Sequence, residues 1–381
     1  MDVLSRMTPE EALLCRTARL EIPAADGLET PAADGLEPGL SQLLEKGLDW
    51  RTFWNLAHRH EVQPMVWAFL RSRPGCRSAV PADLQQVAER RYFATAVRNR
   101  NRSIELGKVL TILERAEVDV LPVKGVVLDE LVYGSAAPRT FDDLDVLVRR
   151  ADLERARAAL AELGYRGRPV PRFEEVDHRF HDVQLFRAIG GSQQCLEVHW
   201  DLWPSSRFDS IVDDLWQRAR RERVAGVETR VLSDEDTLLH LAVHRTSSAL
   251  RLRFVCDVAE LVRRRQGTID WDALEQRATS IQARVALHMV LSLARELLGA
   301  PVPAEILAGT RPGPWRRRIL DRTCGTRALF RTVARDDHTQ QPRLAYRILE
   351  QDRPIRVARS LVAGVVRKRA KYVYNRRTRP A

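Results

Sequence analysis

The chain has 381 residues, 44% of them apolar and 30% charged, with a formal net charge of +11. That is the balance of a globular protein with room for two or three domains. No apolar run reaches the roughly 20 residues of a spanning helix, because the best, 285–294, contains His288 and lies between Arg284 and Arg295.

The start of the chain lacks the charged-then-apolar pattern of a secretory signal. The five cysteines, Cys15, Cys76, Cys195, Cys256 and Cys324, fall at neither zinc-site nor disulfide-framework spacing. A reducing, cytoplasmic location is therefore expected. The positive charge is uneven: residues 351–381 carry ten basic side chains against the one acid Asp352. Such a tail suits an anionic partner, RNA or lipid, or else a solvated end.

In chain order, PAADGLE stands at 23–29 and again at 31–37. Two copies are too few for a solenoid, and the Pro, Ala, Asp and Gly content predicts a linker. Asp49 is placed to cap a helix over 50–60 whose apolar face is Phe53, Leu56 and Ala57. A second helix is expected over 64–71. Pro81 opens a long helix to about residue 117, with Gly107 its weak point. Leu84, Val87, Ala88, Val97, Ile104, Val109 and Leu113 recur there at helical spacing and predict its buried face.

The period then shortens. Val118, Val120 and Leu121 predict a strand, and Pro122 puts it at an edge or an end. GVVLDELVYG predicts a short helix closed by Gly134, and LDVLV the next strand. Asp152 is expected to cap an amphipathic helix stopped by Gly164. HDVQLFR and CLEVHW predict two strands joined as a hairpin through Gly190 and Gly191. After about residue 230 helical spacing returns, with Leu238, Leu241 and Ala242 on one face. The centre is thus an α+β unit of strand, helix, strand, helix, strand, strand.

Asp143 and Asp145 flank a single leucine inside the LDVLV strand, so both carboxylates point to one side. Two like charges this close repel, and neither gains by leaving water. A cation between them is the simplest remedy. In CLEVHW, Glu197 and His199 alternate against Leu196, Val198 and Trp200. Glu197 can therefore join the aspartates as a third oxygen ligand at an open magnesium site. Two such ions can clamp an in-line displacement at phosphorus. Gly125 opens a helix just after a strand, where free N–H groups favour an anion and a side chain would obstruct it. Lys124 and Arg139 add a point charge and a fork.

Together LPVKG, RTFDDLDVLV, LGY and LEVHWDL make the chain resemble the DNA polymerase β-type nucleotidyltransferase superfamily. More narrowly, it resembles a bacterial uncharacterised nucleotidyltransferase family. DWRTFWNLAHRHEVQPMVW and LLHLAVHRTSSALRLRFVCDVAEL extend the likeness over roughly 40–305. Val126 departs from the wider superfamily, where serine or glycine is common.

The resemblance implies a polymerase β-like core, a small mixed sheet with flanking helices, between N-terminal and C-terminal helical regions. The expected divisions are an N-terminal segment with the linker (1–40), a helical region (41–117), the nucleotidyltransferase core (118–230), a helical domain (231–310) and a basic tail (311–381). It further implies Asp143, Asp145 and Glu197 as catalytic metal ligands, for two Mg²⁺ or alternatively Mn²⁺. Lys124, Gly125 and Arg139 become phosphate contacts, and His199 and His244 substrate-contact candidates.

His199 reads equally well as a group orienting Glu197, and Arg253 and Asp257 as an i,i+4 pair. The implied reaction moves a nucleoside monophosphate from an NTP to a hydroxyl, with pyrophosphate leaving. The acceptor stays open among a small molecule, a sugar, a peptide or protein, and an RNA end. A degenerate, non-catalytic nucleotide binder and an RNA-end-directed enzyme using the tail are the alternatives.

Overall fold

The computed structural model describes residues 3–20, 38–45, 47–134, 137–167, 181–203, 211–245, 251–323, 325–326, 328–330 and 352. The duplicated PAADGLE segment and, from residue 331 onward, everything except Asp352 lie outside these residues.

Helix α1 (Pro9–Thr17) starts on a capping box in which Thr8 and Glu11 satisfy each other's backbone N–H. Helices α2 (Pro38–Glu45), α3 (Trp50–Arg59), α4 (Gln63–Arg71) and α5 (Pro74–Ala79) follow. Asp49 caps α3 as its position predicts: Oδ1 accepts from the backbone N–H groups of Arg51 at 3.0 Å and Thr52 at 3.1 Å.

Helix α6 (Ala82–Arg115) runs unbroken for 34 residues. Gly107 is needed there for closeness rather than as a break, because a Cβ would lie 2.7 Å from the Ala225 carbonyl oxygen. The buried face of α6 differs in part from the expected one. Val87, Val97 and Ile104 are 40%, 60% and 46% exposed. Ala88, Val109 and Leu113 are buried as expected, and Thr95, Asn99, Ser103, Leu106 and Leu110 turn inward with them. Polar residues win in mid-helix because they satisfy groups that border the sheet. Asn99 Nδ2 donates to the Arg139 carbonyl (2.8 Å) and to Asp129 Oδ1 (2.9 Å), and Ser103 Oγ donates to Glu130 Oε1 (2.6 Å).

The five-stranded sheet comprises β1 (Val120–Val123), β2 (Asp143–Val148), β3 (Arg166–Gly167), β4 (Asp182–Ile189) and β5 (Ser192–His199), in the order β1-β2-β5-β4-β3. Strands β2 and β5 are parallel, and the other neighbours are antiparallel. Pro122 is tolerated because β1 is an edge. Helix α7 (Gly125–Leu128) widens into a π turn at Asp129–Tyr133 and ends at Gly134, whose φ is +57°.

Helix α8 (Leu153–Glu162) stops at Gly164 (φ +88°). Asp152 does not cap it as expected. It closes a 3₁₀ turn over Arg150–Asp152, and its carboxylate is taken by Arg155. Helix α9 (Val212–Arg218) and a hairpin of β6 (Arg220–Val224) and β7 (Val227–Val231) come next. This hairpin is an addition to the expected elements. It turns through Ala225 (φ +55°) and Gly226 (φ +77°), the left-handed pair that a two-residue turn requires.

Helices α10 (Asp234–Arg245), α11 (Leu252–Arg264), α12 (Trp271–Ser280), α13 (Arg284–Leu298), α14 (Ala304–Gly309) and α15 (Pro314–Thr323) complete the described chain. The apolar run 285–294 is buried inside α13, and no described helix is long and apolar enough to cross a membrane.

Strand alternation sends the two sheet faces to different partners. Leu144, Val146, Val148, Leu196 and Val198 pack with Leu106, Val109 and Leu113 of α6 and Ala156 and Leu160 of α8. On the opposite face Leu121, Val123 and Leu147 join a larger cluster that unites α1, α3 and α4 with α10, α11 and α13. That second face also carries the acids. Asp352 reaches the start of α13, where its carboxylate accepts from the Arg284 N–H (2.9 Å) and the Val285 N–H (3.0 Å).

Candidate active site

Register brings the polar residues of three strands together. Asp145 pairs directly with Glu197 across the parallel β2–β5 ladder, and with Val123 across β1–β2. The tight Gly190–Gly191 turn sets Glu197 opposite Gln184 and His199 opposite Asp182. Directly paired residues share a face. Asp143, Asp145, Asp182, Gln184, Glu197 and His199 therefore line one surface. Asp182 and Gln184 were legible in principle, because two glycines between alternating strands imply the hairpin register.

Lys124 follows β1 with φ +54° and ψ −129°, a conformation that ordinarily favours glycine. It is held there by charge: Nζ lies 2.6 Å from Asp145 Oδ1. His199 Nε2 lies 3.0 Å from the same oxygen and 3.5 Å from Glu197 Oε2. Gln184 Nε2 donates to Glu197 Oε1 at 2.8 Å.

These contacts set the protonation states. Burial pushes the Asp145 carboxyl upward, but Lys124 and His199 outweigh it and hold Asp145 well below the usual carboxylate range. Burial likewise opposes charge on His199, yet its hydrogen bonds to Asp145 and Glu197 raise it to about 9. The His199 hydrogen bond also lowers Glu197. Asp143 lacks such a partner: burial and then repulsion from Asp145 raise it, with Lys124 opposing.

Asp143, Asp145, Lys124, Gly125 and Arg139 line a pocket of about 60 Å³ with Phe141, Leu241, His244, Arg253 and Phe254. Gly125 is pressed against the wall, since a Cβ there would meet the Phe141 ring at 3.0 Å. His244 borders the pocket with its ring stacked on His240 (5.8 Å), and burial drives it well below the ordinary histidine value.

Arg139 lines the pocket too, but its fork is already engaged. Nε and Nη2 each lie 2.7 Å from the two oxygens of Asp257, which also accepts from Tyr133 Oη at 2.8 Å. Arg139 thus builds the wall, correcting the expectation that its fork stands open to phosphate. The expected Arg253–Asp257 pair is replaced as well. Arg253 Nε lies 2.7 Å from Glu61 Oε2, and Arg251 shares that carboxylate. Two guanidiniums on one carboxylate leave a net positive charge at the pocket edge. Sequence offered no sign of this, because Glu61 and Arg253 are 192 residues apart.

Asp145, Glu197 and His199 present ligand atoms within 4.8 Å of one another. Two carboxylate oxygens and one imidazole, with an ammonium already standing at the shared oxygen, fit a divalent cation. Asp143 stands outside this trio and faces the pocket. It lies two residues earlier on the strand, about 7 Å along it.

The mixed sheet thus gathers acids from its parallel neighbours β2 and β5 beside a pocket edged by Lys124 and Arg253. The family model described as "uncharacterised nucleotidyltransferase" matches residues 46–299, well over half the chain. The chain belongs to that family, and its α+β core is the core of a nucleotidyltransferase enzyme. No curated protein matches it significantly. Among solved structures it is similar to the solution structure of the antibiotic-resistance factor ANT(2'')-Ia. The identity is 14% and the TM-score 0.30, covering 57% of this chain and 93% of that one.

Proposed function

We propose that the protein transfers a nucleoside monophosphate from an NTP to a hydroxyl acceptor, with pyrophosphate as the leaving group and Mg²⁺ as the working ion. The observation that carries this reading is the direct pairing of Asp145 with Glu197, with His199 bonded to one and beside the other. Asp143, Asp145 and Glu197 are the residues to hold the divalent ions. When bound, such ions make a hydroxyl more acidic and neutralise phosphate charge.

The protein's own groups carry the rest. Asp145 stays ionised at any physiological pH because Lys124 and His199 face it. His199 orients the Asp145 and Glu197 carboxylates rather than acting alone. Lys124 and the Gly125 backbone are the contacts for the triphosphate, and the Arg253 side supplies the second cation that Arg139 cannot. His244, neutral and at the pocket wall, is suited to a base or acceptor contact.

The test is incubation of purified protein with Mg²⁺ and each labelled NTP, against a cell extract as acceptor source. Asp143→Asn and Glu197→Gln should abolish labelling while their thermal unfolding stays near wild type. Wild-type protein that neither labels any acceptor nor binds Mg–NTP would refute the reading, as would full activity in either variant.

A further inference from the structure

The geometry points to a second cation site, built by His181, Asp182 and His199 on the β4 side of the catalytic face, for a borderline transition ion such as Zn²⁺ or Co²⁺. Its three ligand atoms lie within 4.8 Å of one another. Strand register produces the cluster: Asp182 is the cross-strand partner of His199, and His181 precedes it, with its ring 5.7 Å from that of His199.

His199 carries the argument. Its Nε2 is engaged with Asp145 at 3.0 Å on β2. The two nitrogens of an imidazole diverge, so Nδ1 is turned away from Asp145. That Nδ1 is buried and has no hydrogen-bond partner among the described residues. A buried imidazole nitrogen without a partner is costly unless something binds it. β5 lies between β2 and β4, so the β4 side holds the other two donors. A metal-bound histidine ordinarily donates its second N–H to a carboxylate. His199 already has that arrangement, with Asp145 as the carboxylate.

The donor set also distinguishes this site from its neighbour. Two imidazoles and one carboxylate favour Zn²⁺ or Co²⁺ over Mg²⁺, which prefers oxygen. Side-chain exposures of 24% at both His181 and Asp182 leave a path for the ion to enter. An ion on Nδ1 fixes the remaining ring proton on Nε2, aimed at Asp145. The site would thereby hold the catalytic carboxylate in place without itself touching the nucleotide.

Co²⁺ alone is the probe. Titrated into metal-free protein, it should give the visible absorption of a nitrogen-ligated Co²⁺ centre at one equivalent. His181→Ala and Asp182→Asn should each weaken Co²⁺ binding at least tenfold and change that spectrum, while their metal-free thermal unfolding stays near wild type. Asp143→Asn and Glu197→Gln should keep both spectrum and affinity, even though they are the variants expected to lose transfer. Absence of a Co²⁺ spectrum in the wild type would overturn the site. So would a spectrum lost in Glu197→Gln but kept in His181→Ala, which would place the ion between Asp145 and Glu197. Neither result depends on whether NTP turns over.

Discussion

Removing Asp257 tests the claim that Arg139 is a strut. The pair is buried, with Arg139 4% and Asp257 0% exposed, and bidentate at 2.7 Å on both arms. In Asp257→Ala the guanidinium loses both acceptors, and the Tyr133 hydroxyl loses its own. Stranding one member of a buried pair costs roughly 3–5 kcal/mol. An orphaned buried hydroxyl adds about 1 kcal/mol, so a total near 4–6 kcal/mol is expected. At about 2 °C per kcal/mol for a chain of this size, the unfolding temperature should drop by roughly 10 °C.

Replacing both partners should recover much of this, since apolar substitutes leave no bare charge. Urea unfolding followed by tryptophan fluorescence, applied to Asp257→Ala, Arg139→Met and the Arg139→Met/Asp257→Leu double variant, completes the comparison. Two results would refute the reasoning. One is a loss under about 1 kcal/mol in Asp257→Ala. The other is an Arg139→Met protein of native stability whose only defect is a raised KM for NTP, the signature of a free phosphate contact.

Burial holds His60 down at about 3 against an ordinary 6.5, and its Nδ1 accepts from the Leu252 N–H. A depressed folded value means the stability is intact above pH 6.5 and is lost as pH falls toward 3. The cost is about 1.4 kcal/mol per pH unit from this one group. Urea unfolding between pH 7 and 5 should show that slope in the wild type and a slope shallower by one proton in His60→Gln, with equal slopes counting against it. Gly107→Ala should destabilise by about 1–2 kcal/mol, as overpacking against the Ala225 carbonyl exceeds the gain in helix propensity; a stabilised variant would show that the hairpin moves aside freely. Asp352→Ala should cost about 1 kcal/mol through loss of the α13 cap, measured the same way. Deleting residues 353–381 spares that cap and should remove any steep salt dependence of RNA binding; RNA binding unchanged by the deletion would clear the tail of that role.

Local rules settle much of this protein from its sequence. Alternation in LDVLV and LEVHW puts Asp143 and Asp145 on one side and Glu197 and His199 on one side. Asp49 caps its helix, and Gly134, Gly164 and the Gly190–Gly191 turn end or reverse elements where their spacing says they must. Each of these effects acts within a few residues, so the chain itself reveals it. What only the tertiary structure decides is who answers whom across long separations. Arg139 meets Asp257 118 residues away, and Arg253 passes over Asp257 for Glu61. The long helix α6 turns Asn99 and Ser103 inward and leaves Val97 and Ile104 outside, because the groups it must satisfy belong to other elements. The physical reason is that a charge or hydrogen-bond donor carries no address in sequence: its partner is set by the packing that brings distant segments within about 3 Å.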